Sequence, residues 1–240
     1  MDKEKKEQSE WAKLRLVLNQ QYTLDRNWEV AIELFRNRFL NKFFNPIEQL
    51  IKIDTIKGEG FTIVTIQCAL IEAFASMRKG LIFEHDAPKG SPKFIYNNSK
   101  KLFVEFLSSE QIFKGHFWTT DPTIQGKKNA NTPYNAESFY QDVRCGLMHE
   151  ARTKGNWIIS ANHFHPKMMT ESQFIKSHSN GQQIMIYRTV LHYRLKEYLA
   201  IYCNELREQN KNLRRFLARK LDHIFDHPRD AANFDWWVDR

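Results

Sequence analysis

Arg144 and His149 are the two residues of this 240-residue chain whose types and spacing suit joint chemistry. They stand five positions apart in "YNAESFYQDVRCGLMHEARTKGNW", residues 134–157, which has the apolar spacing of a short amphipathic helix. An imidazole can move a proton to or from a ribose 2′-hydroxyl near neutral pH, and a guanidinium can hold a phosphate through two hydrogen bonds. The pair therefore has the functional groups that RNA cleavage without a metal ion requires.

The spacing of the pair raises a geometric question. On an ideal helix, positions five apart diverge by about 140°, so these side chains do not stack as residues four apart do. A long arginine side chain can swing around the turn, Gly146 can admit another backbone or a phosphate, and a two-fold dimer can bring two motif helices together. The sequence leaves these routes open. We expect a homodimer with the motif helices near the axis.

At these residues the chain resembles a known family. "RCGLMH" resembles the R-x4-6-H motif of the HEPN superfamily, and "FYQDVRCGLMHEA" resembles the motif helix of bacterial HEPN-like proteins. The resemblance implies a helical bundle, a homodimer and a metal-independent ribonuclease of toxin–antitoxin or antiviral defence systems, with an antitoxin or defence-system protein as a partner. It also implies that Arg144 and His149 are catalytic.

Two positions depart from the family's pattern. Cys145 follows the arginine where the family often has Asn, Asp or His, and Ala151 stands where one toxin branch has tyrosine. These departures favour an alternative, a catalytically silent HEPN-like module that binds RNA or protein or that dimerises. A third hypothesis is a helical scaffold that binds an effector protein through the aromatic C-terminus "NFDWWVDR".

Several residues near the motif are expected to support it. Glu72 is the only charged residue inside the apolar stretch 61–77, and an unpaired buried carboxylate is costly, so it should reach an edge or pair with a cation. Arg144 is one candidate for that cation. The alternative is that Arg144 forms an ordinary structural salt bridge with Glu137, Asp142 or Glu150. The supporting residues predicted from the sequence are Glu72, Cys145 and Glu150.

The histidines and cysteines do not predict a metal site or another cofactor. Cys145 and His149 stand four apart, but two ligands are too few, and a small packed thiol is the better interpretation. His163 and His165 would share a face if "NHFHP" is extended, although histidines in an exposed loop are commoner than a site. The three cysteines lie far apart without C-x-x-C spacing, which favours a reducing cytoplasm.

The charge balance predicts an anionic partner. Thirty-six Lys and Arg against 28 Asp and Glu give a net charge of +8, which attracts a polyanion such as RNA. A basic C-terminal surface is expected from Arg207, Lys211, Arg214, Arg215, Arg219 and Lys220. The residues predicted to bind RNA are Lys127, Lys128, Arg152, Arg214 and Arg215.

Apolar spacing predicts a mainly α-helical bundle that positions the motif, with at most a short β element in "NWIISANHFHP". Helices are expected in "EWAKLRLVLNQ", from 27 to a stop near Pro46, over 61–77 with a stop at Gly80, over 99–109, from about Gln183, and over 213–224. We expect one domain, 1–240, with a loop-rich insertion at about 81–135 and a basic helical extension at about 207–240.

The segment 61–77 is slightly short for a bilayer and contains Gln67 and Glu72, so it is interpreted as a core helix. The charged N-terminus has no apolar run of signal length. The sequence therefore predicts a cytoplasmic protein with no membrane partner.

Overall fold

The described part of the computed structural model comprises residues 3–18, 26–53, 58–113, 115–124, 133–161, 173–178, 181–208 and 210–227. These residues are mainly helical, which confirms the predicted fold class. The α-helices are α1 (Lys3–Leu18), α2 (Arg26–Phe39), α3 (Asn45–Ile53), α4 (Glu59–Lys79), α5 (Ser99–Ser109), α6 (Ala136–Ser138), α7 (Gly146–Glu150), α8 (Arg188–Arg207) and α9 (Lys211–Ile224). Two π-helical segments, π1 (Leu40–Phe44) and π2 (Phe139–Cys145), interrupt them.

Short strands form three small sheets among the described residues. The strands are β1 (Ile82–Phe83), β2 (Ile95–Tyr96), β3 (Phe117–Trp118), β4 (Tyr134–Asn135), β5 (Trp157–Ser160), β6 (Ile175–Ser177) and β7 (Ile184–Tyr187). β1 pairs in parallel with β2, and β3 with β4. In the third sheet β7 is central, parallel to β5 and antiparallel to β6.

The chain divides into two compact units. The terminal unit comprises the described residues within Met1–Lys42, Ser76–Asn97 and Leu199–Arg240, and the central unit those within Phe43–Ala75 and Asn98–Tyr198. The motif segment belongs to the central unit. That unit is built around buried aromatic rings, namely Phe44, Phe74, Phe103, Phe106, Phe113, Phe117, Phe139, Trp157, Phe174 and Tyr198.

Most of the predicted helices are present. α4 ends where Gly80 adopts a positive φ of 60°, a conformation that favours glycine, so the predicted stop is confirmed. The prediction of a helix over 99–109 is confirmed by α5, whose first turn is capped by the Asn98 side chain accepting from the Lys101 amide. The expected stop near Pro46 is wrong. Pro46 is the second residue of α3, where a missing amide hydrogen is tolerated, and π1 leads directly into it.

The third sheet corrects two further expectations. A helix was expected to begin near Gln183, but residues 184–187 form β7, and α8 begins only at Arg188. The polar sequence "TESQFIKSHSNGQQ", residues 170–183, is typical of a loop and was expected to be one, but it contains β6. The strand in "NWIIS" is confirmed as β5, and its pairing with β7 is what extends the chain before α8. Strands of three or four residues carry too few positions for alternation to reveal them.

α4 is, among the described residues, the helix long and apolar enough to cross a membrane by length and composition. Of its most apolar window, 56% is buried inside the protein, and core helices of soluble proteins share this composition.

Three basic side chains of α9 are buried in the terminal unit, which corrects the expected basic surface. Arg214 Nε donates to the carbonyl of Leu206 at 2.7 Å, at the C-terminal end of α8. Arg219 Nη1 donates to Gly80 O at 3.2 Å and Lys220 Nζ to Leu81 O at 2.8 Å, just beyond α4. Carbonyls at helix C-termini lack intrahelical donors and favour cations, so these side chains cap helices. Arg214, which was predicted to bind RNA, is therefore buried instead of on the expected basic surface.

The burial of Lys220 predicts a pH-dependent stability. Burial lowers the pKa of Lys220 to about 8, from 10.5 for an ordinary lysine. Below pH 8 the ammonium is charged in both states, and its burial costs at most about 3 kcal/mol. Between pH 8 and 10.5 only the unfolded chain retains that proton, so this contribution to the free energy of unfolding rises with pH. In urea unfolding at pH 7 and 10, the free energy of unfolding should change more favourably with rising pH in wild type than in Lys220→Met.

The quantity to measure is the difference between wild type and Lys220→Met in the pH dependence of the free energy of unfolding. Burial raises the pKa of both Cys68 and Cys203 to about 12, and these thiols act in the opposite direction because the unfolded chain loses their protons first. Both thiols are present in wild type and in Lys220→Met, so their contribution cancels in the difference. Lys211→Met, which changes an exposed lysine of the same helix, is the matched control and should keep the wild-type pH dependence. An unchanged pH dependence in Lys220→Met would contradict the prediction.

Candidate active site on the motif helix

The motif segment is one short helix with a wide turn in its middle. α6, π2 and α7 follow each other without a break from Ala136 to Glu150, so the predicted helix is confirmed. Its start is capped by Asn135, whose side chain accepts the amide of Ser138 at 2.7 Å. The π-helical segment was not foreseen. Its backbone bonds span five residues instead of four, and such segments are frequent at functional sites.

Arg144 lies in the π-helical part and pairs with the core helix α4. Its Nη2 donates to Glu72 Oε2 at 3.1 Å, and each side chain is 20% exposed. The guanidinium also lies over the ring of Tyr140, 5.4 Å from its centroid. Of the alternatives left open for Glu72, the structure therefore contains the pair with Arg144. Glu137 and Glu150 do not pair with Arg144. Glu137 accepts from Thr119 and Thr120, and Glu150 pairs with cations of the following loop.

The environment of Arg144 keeps it charged. Burial by itself would lower the pKa of Arg144, but Glu72 and Tyr140 together outweigh burial and raise that pKa. Tyr140 is held in turn, because its hydroxyl bonds to Ser99 Oγ at 3.0 Å and its ring packs on Phe103 at 5.4 Å. Arg144 can thus contribute a fixed positive charge to a site, but not a proton.

His149 lies in α7 and is exposed to solvent. Within the described part of the chain, no side chain hydrogen-bonds to it, and it makes no contact of that kind with Arg144. The two motif residues are therefore on one short helix, but no hydrogen bond joins their side chains within the described part of the chain. Met148 beside it is 52% exposed.

Cys145 is half-buried and its thiol is free. Cys68 on α4 is buried, and burial raises its pKa to about 12, which keeps that thiol protonated and unreactive. Within the described residues, no group of three His, Cys, Asp or Glu side chains suits a metal ion. His163 and His165 lie outside the described residues.

A return loop, residues 151–155, folds back along the motif helix. Ala151 ends α7 with a positive φ of 53°. The Arg152 amide then donates to Gly146 O at 3.3 Å, and the Lys154 amide donates to Asp142 O at 2.8 Å. A Cβ on Gly146 would lie 2.5 Å from Arg152 O, closer than real Cβ contacts. Of the two roles expected for Gly146, the close approach of another backbone is therefore the one present.

The return loop carries two cations beside Glu150. Arg152, predicted to bind RNA, has a 66% exposed side chain, and its Nε lies 3.4 Å from Glu150 Oε2. Lys154 Nζ pairs with Glu150 Oε1. Lys154 was missed by sequence reasoning, although its position just after the motif was a usable signal. Of the other predicted RNA-binding residues, Arg215 is half-buried, and Lys127 and Lys128 lie outside the described residues.

The fold and the site define a mainly α-helical protein with an arginine–histidine helix docked on a core helix. Comparison of the chain with protein-family models, with curated proteins and with solved structures finds no match.

Proposed function

We propose that the protein is a metal-independent ribonuclease of HEPN type that acts in the cytoplasm in bacterial defence or as a toxin. One observation carries the proposal. A single short helix holds a charged guanidinium, Arg144, at partial exposure on the core and presents an imidazole, His149, to solvent five residues later. Neither a metal nor another cofactor is needed for the chemistry of this pair.

In the proposed reaction the 2′-oxygen of a ribose attacks the adjacent phosphorus, and the bond from phosphorus to the 5′-oxygen breaks. His149 accepts the proton of the 2′-hydroxyl or donates one to the departing 5′-oxygen, and Arg144 stabilises the negative charge that develops on the phosphate. The products are a 2′,3′-cyclic phosphate and a 5′-hydroxyl. A homodimer would supply two imidazoles, one for each proton transfer, and an antitoxin or defence protein would restrain the activity.

The catalytically silent module is the second candidate, and a specific observation favours it. Arg144 is bonded to Glu72, and among the described residues no hydrogen bond joins it to His149 within one chain. An arginine engaged in this way can act as a structural bridge, and the motif helix then serves binding or dimerisation alone.

The test of the proposed function is cleavage of varied single-stranded RNAs by the wild-type protein with and without EDTA. We expect cleavage at both conditions, because the arginine–histidine mechanism uses no metal, and fragments that end in 2′,3′-cyclic phosphates. Mass spectrometry of the fragment ends provides the measurement. Loss of cleavage with EDTA would indicate metal-assisted hydrolysis, and absence of cleavage on all RNAs would favour the silent module.

A further inference from the structure

The return loop carries two cations next to the motif, and these cations take no part in the proposed reaction. Arg152 and Lys154 both pair with Glu150, the last residue of α7. Two cations therefore share one carboxylate, which leaves one positive charge in excess within these three side chains. Lys154 and Arg152 lower the pKa of Glu150, mainly through the hydrogen bond from Lys154, so the carboxylate stays ionised at neutral pH.

The backbone of the return loop places these cations alongside the motif helix. Arg152 bonds to Gly146, one turn before His149, and Lys154 bonds to Asp142, two residues before Arg144. The loop thus runs antiparallel to residues 142–146, the stretch that carries Arg144, and His149 follows three residues after its end. Gly146 makes this possible because a larger residue would collide with Arg152 O.

The position of the loop is held by further contacts. Thr153 Oγ1 donates to Trp157 O at 2.7 Å, and the Trp157 indole donates to Ser138 Oγ at 3.2 Å. Asp142, the other acidic side chain next to the loop, accepts from the Ser138 hydroxyl at 2.7 Å. The loop backbone is therefore anchored at both ends, while the Arg152 side chain remains largely in solvent.

We propose that Arg152 and Lys154 form a phosphate clamp that positions the RNA strand beside the motif, and that Glu150 occupies the clamp until RNA replaces it. This inference rests on the proposed function and adds Lys154 to its residues. The exchange suits a polyanion, since a phosphate can take over the hydrogen bonds that the carboxylate accepts from the two cations. Arg152 and Lys154 are positioning residues in this scheme and take no part in proton transfer.

The clamp is tested by binding of a single-stranded 2′-O-methyl RNA, which lacks the attacking hydroxyl and stays intact. Fluorescence anisotropy over a range of salt concentrations gives the slope of log affinity against log salt. Lys154→Gln and Arg152→Gln should each weaken binding several-fold at low salt and reduce the slope by about 0.7, the contribution of one phosphate contact. Glu150→Gln should strengthen binding, because the competing carboxylate is gone.

The control is Lys93→Gln, which removes an exposed lysine of the terminal unit and should bind as wild type does. Thermal unfolding of each variant shows that the protein remains folded. If wild type binds RNA but the two loop variants keep its affinity and slope, the clamp is overturned while the proposed function stands. If wild type does not bind RNA at low salt, the proposed function fails, and the clamp with it.

Discussion

His149→Ala is expected to reduce the rate of RNA cleavage by about a hundredfold or more, the usual contribution of a general acid–base group. The imidazole is exposed and makes no hydrogen bond to a described side chain, so its removal should leave the free energy of unfolding nearly unchanged. Arg144→Ala should also abolish cleavage if the guanidinium stabilises the phosphate. Cleavage rates under single-turnover conditions and urea unfolding of the same preparations measure both effects.

Matched variants separate catalysis from structure. His85→Ala removes another highly exposed histidine, in the loop after β1, and should cleave as wild type does. Glu72→Gln breaks the ion pair of Arg144 but keeps the guanidinium. If Arg144 is only a structural bridge, Glu72→Gln and Arg144→Ala should lower stability alike, and neither should change cleavage. Cleavage that persists in His149→Ala would refute the catalytic assignment.

Asp222→Ala is expected to lower the free energy of unfolding by about 3 to 5 kcal/mol. The Asp222 carboxylate is fully buried in the terminal unit and accepts from Trp11 Nε1 at 2.9 Å and from Arg15 Nε and Nη2 at 2.8 and 3.0 Å. Its removal leaves the buried Arg15 guanidinium without this partner, and the desolvation of that charge is no longer offset. The loss is a large part of the stability of an ordinary domain, and urea unfolding measures it.

Two further variants test the cause of that loss. Arg15→Leu in the Asp222→Ala background should recover part of the stability, because the buried guanidinium that has lost its carboxylate is then absent. Arg36→Ala breaks an exposed pair with Glu33 and should cost less than about 1 kcal/mol. A loss in Asp222→Ala no larger than that in Arg36→Ala would show that the buried pair does not stabilise α1.

The candidate site was partly predictable because part of it is local. The motif helix, the positions of Arg144 and His149 on it, and the need of Glu72 for a partner all follow from residue types at short spacing. That the partner is Arg144, 72 positions away, depends on how α4 packs against π2. The π-helical turn and the return loop depend on contacts such as Arg152 with Gly146, which periodicity does not describe.

The sequence by itself determined most of the helices, the stop at Gly80 and the mainly α-helical class, because the burial of one apolar face follows a period that nearby residues set. Only the tertiary structure decided which charged side chains lie on the surface. Arg214, Arg219 and Lys220 have the composition of a basic face, but they are buried against carbonyls at the ends of α8 and α4. The tertiary structure also decided that residues 184–187 form a strand, since their hydrogen-bond partners on β5 lie more than twenty residues earlier in the chain. Such pairings arise from contacts between distant segments, and no local pattern encodes them.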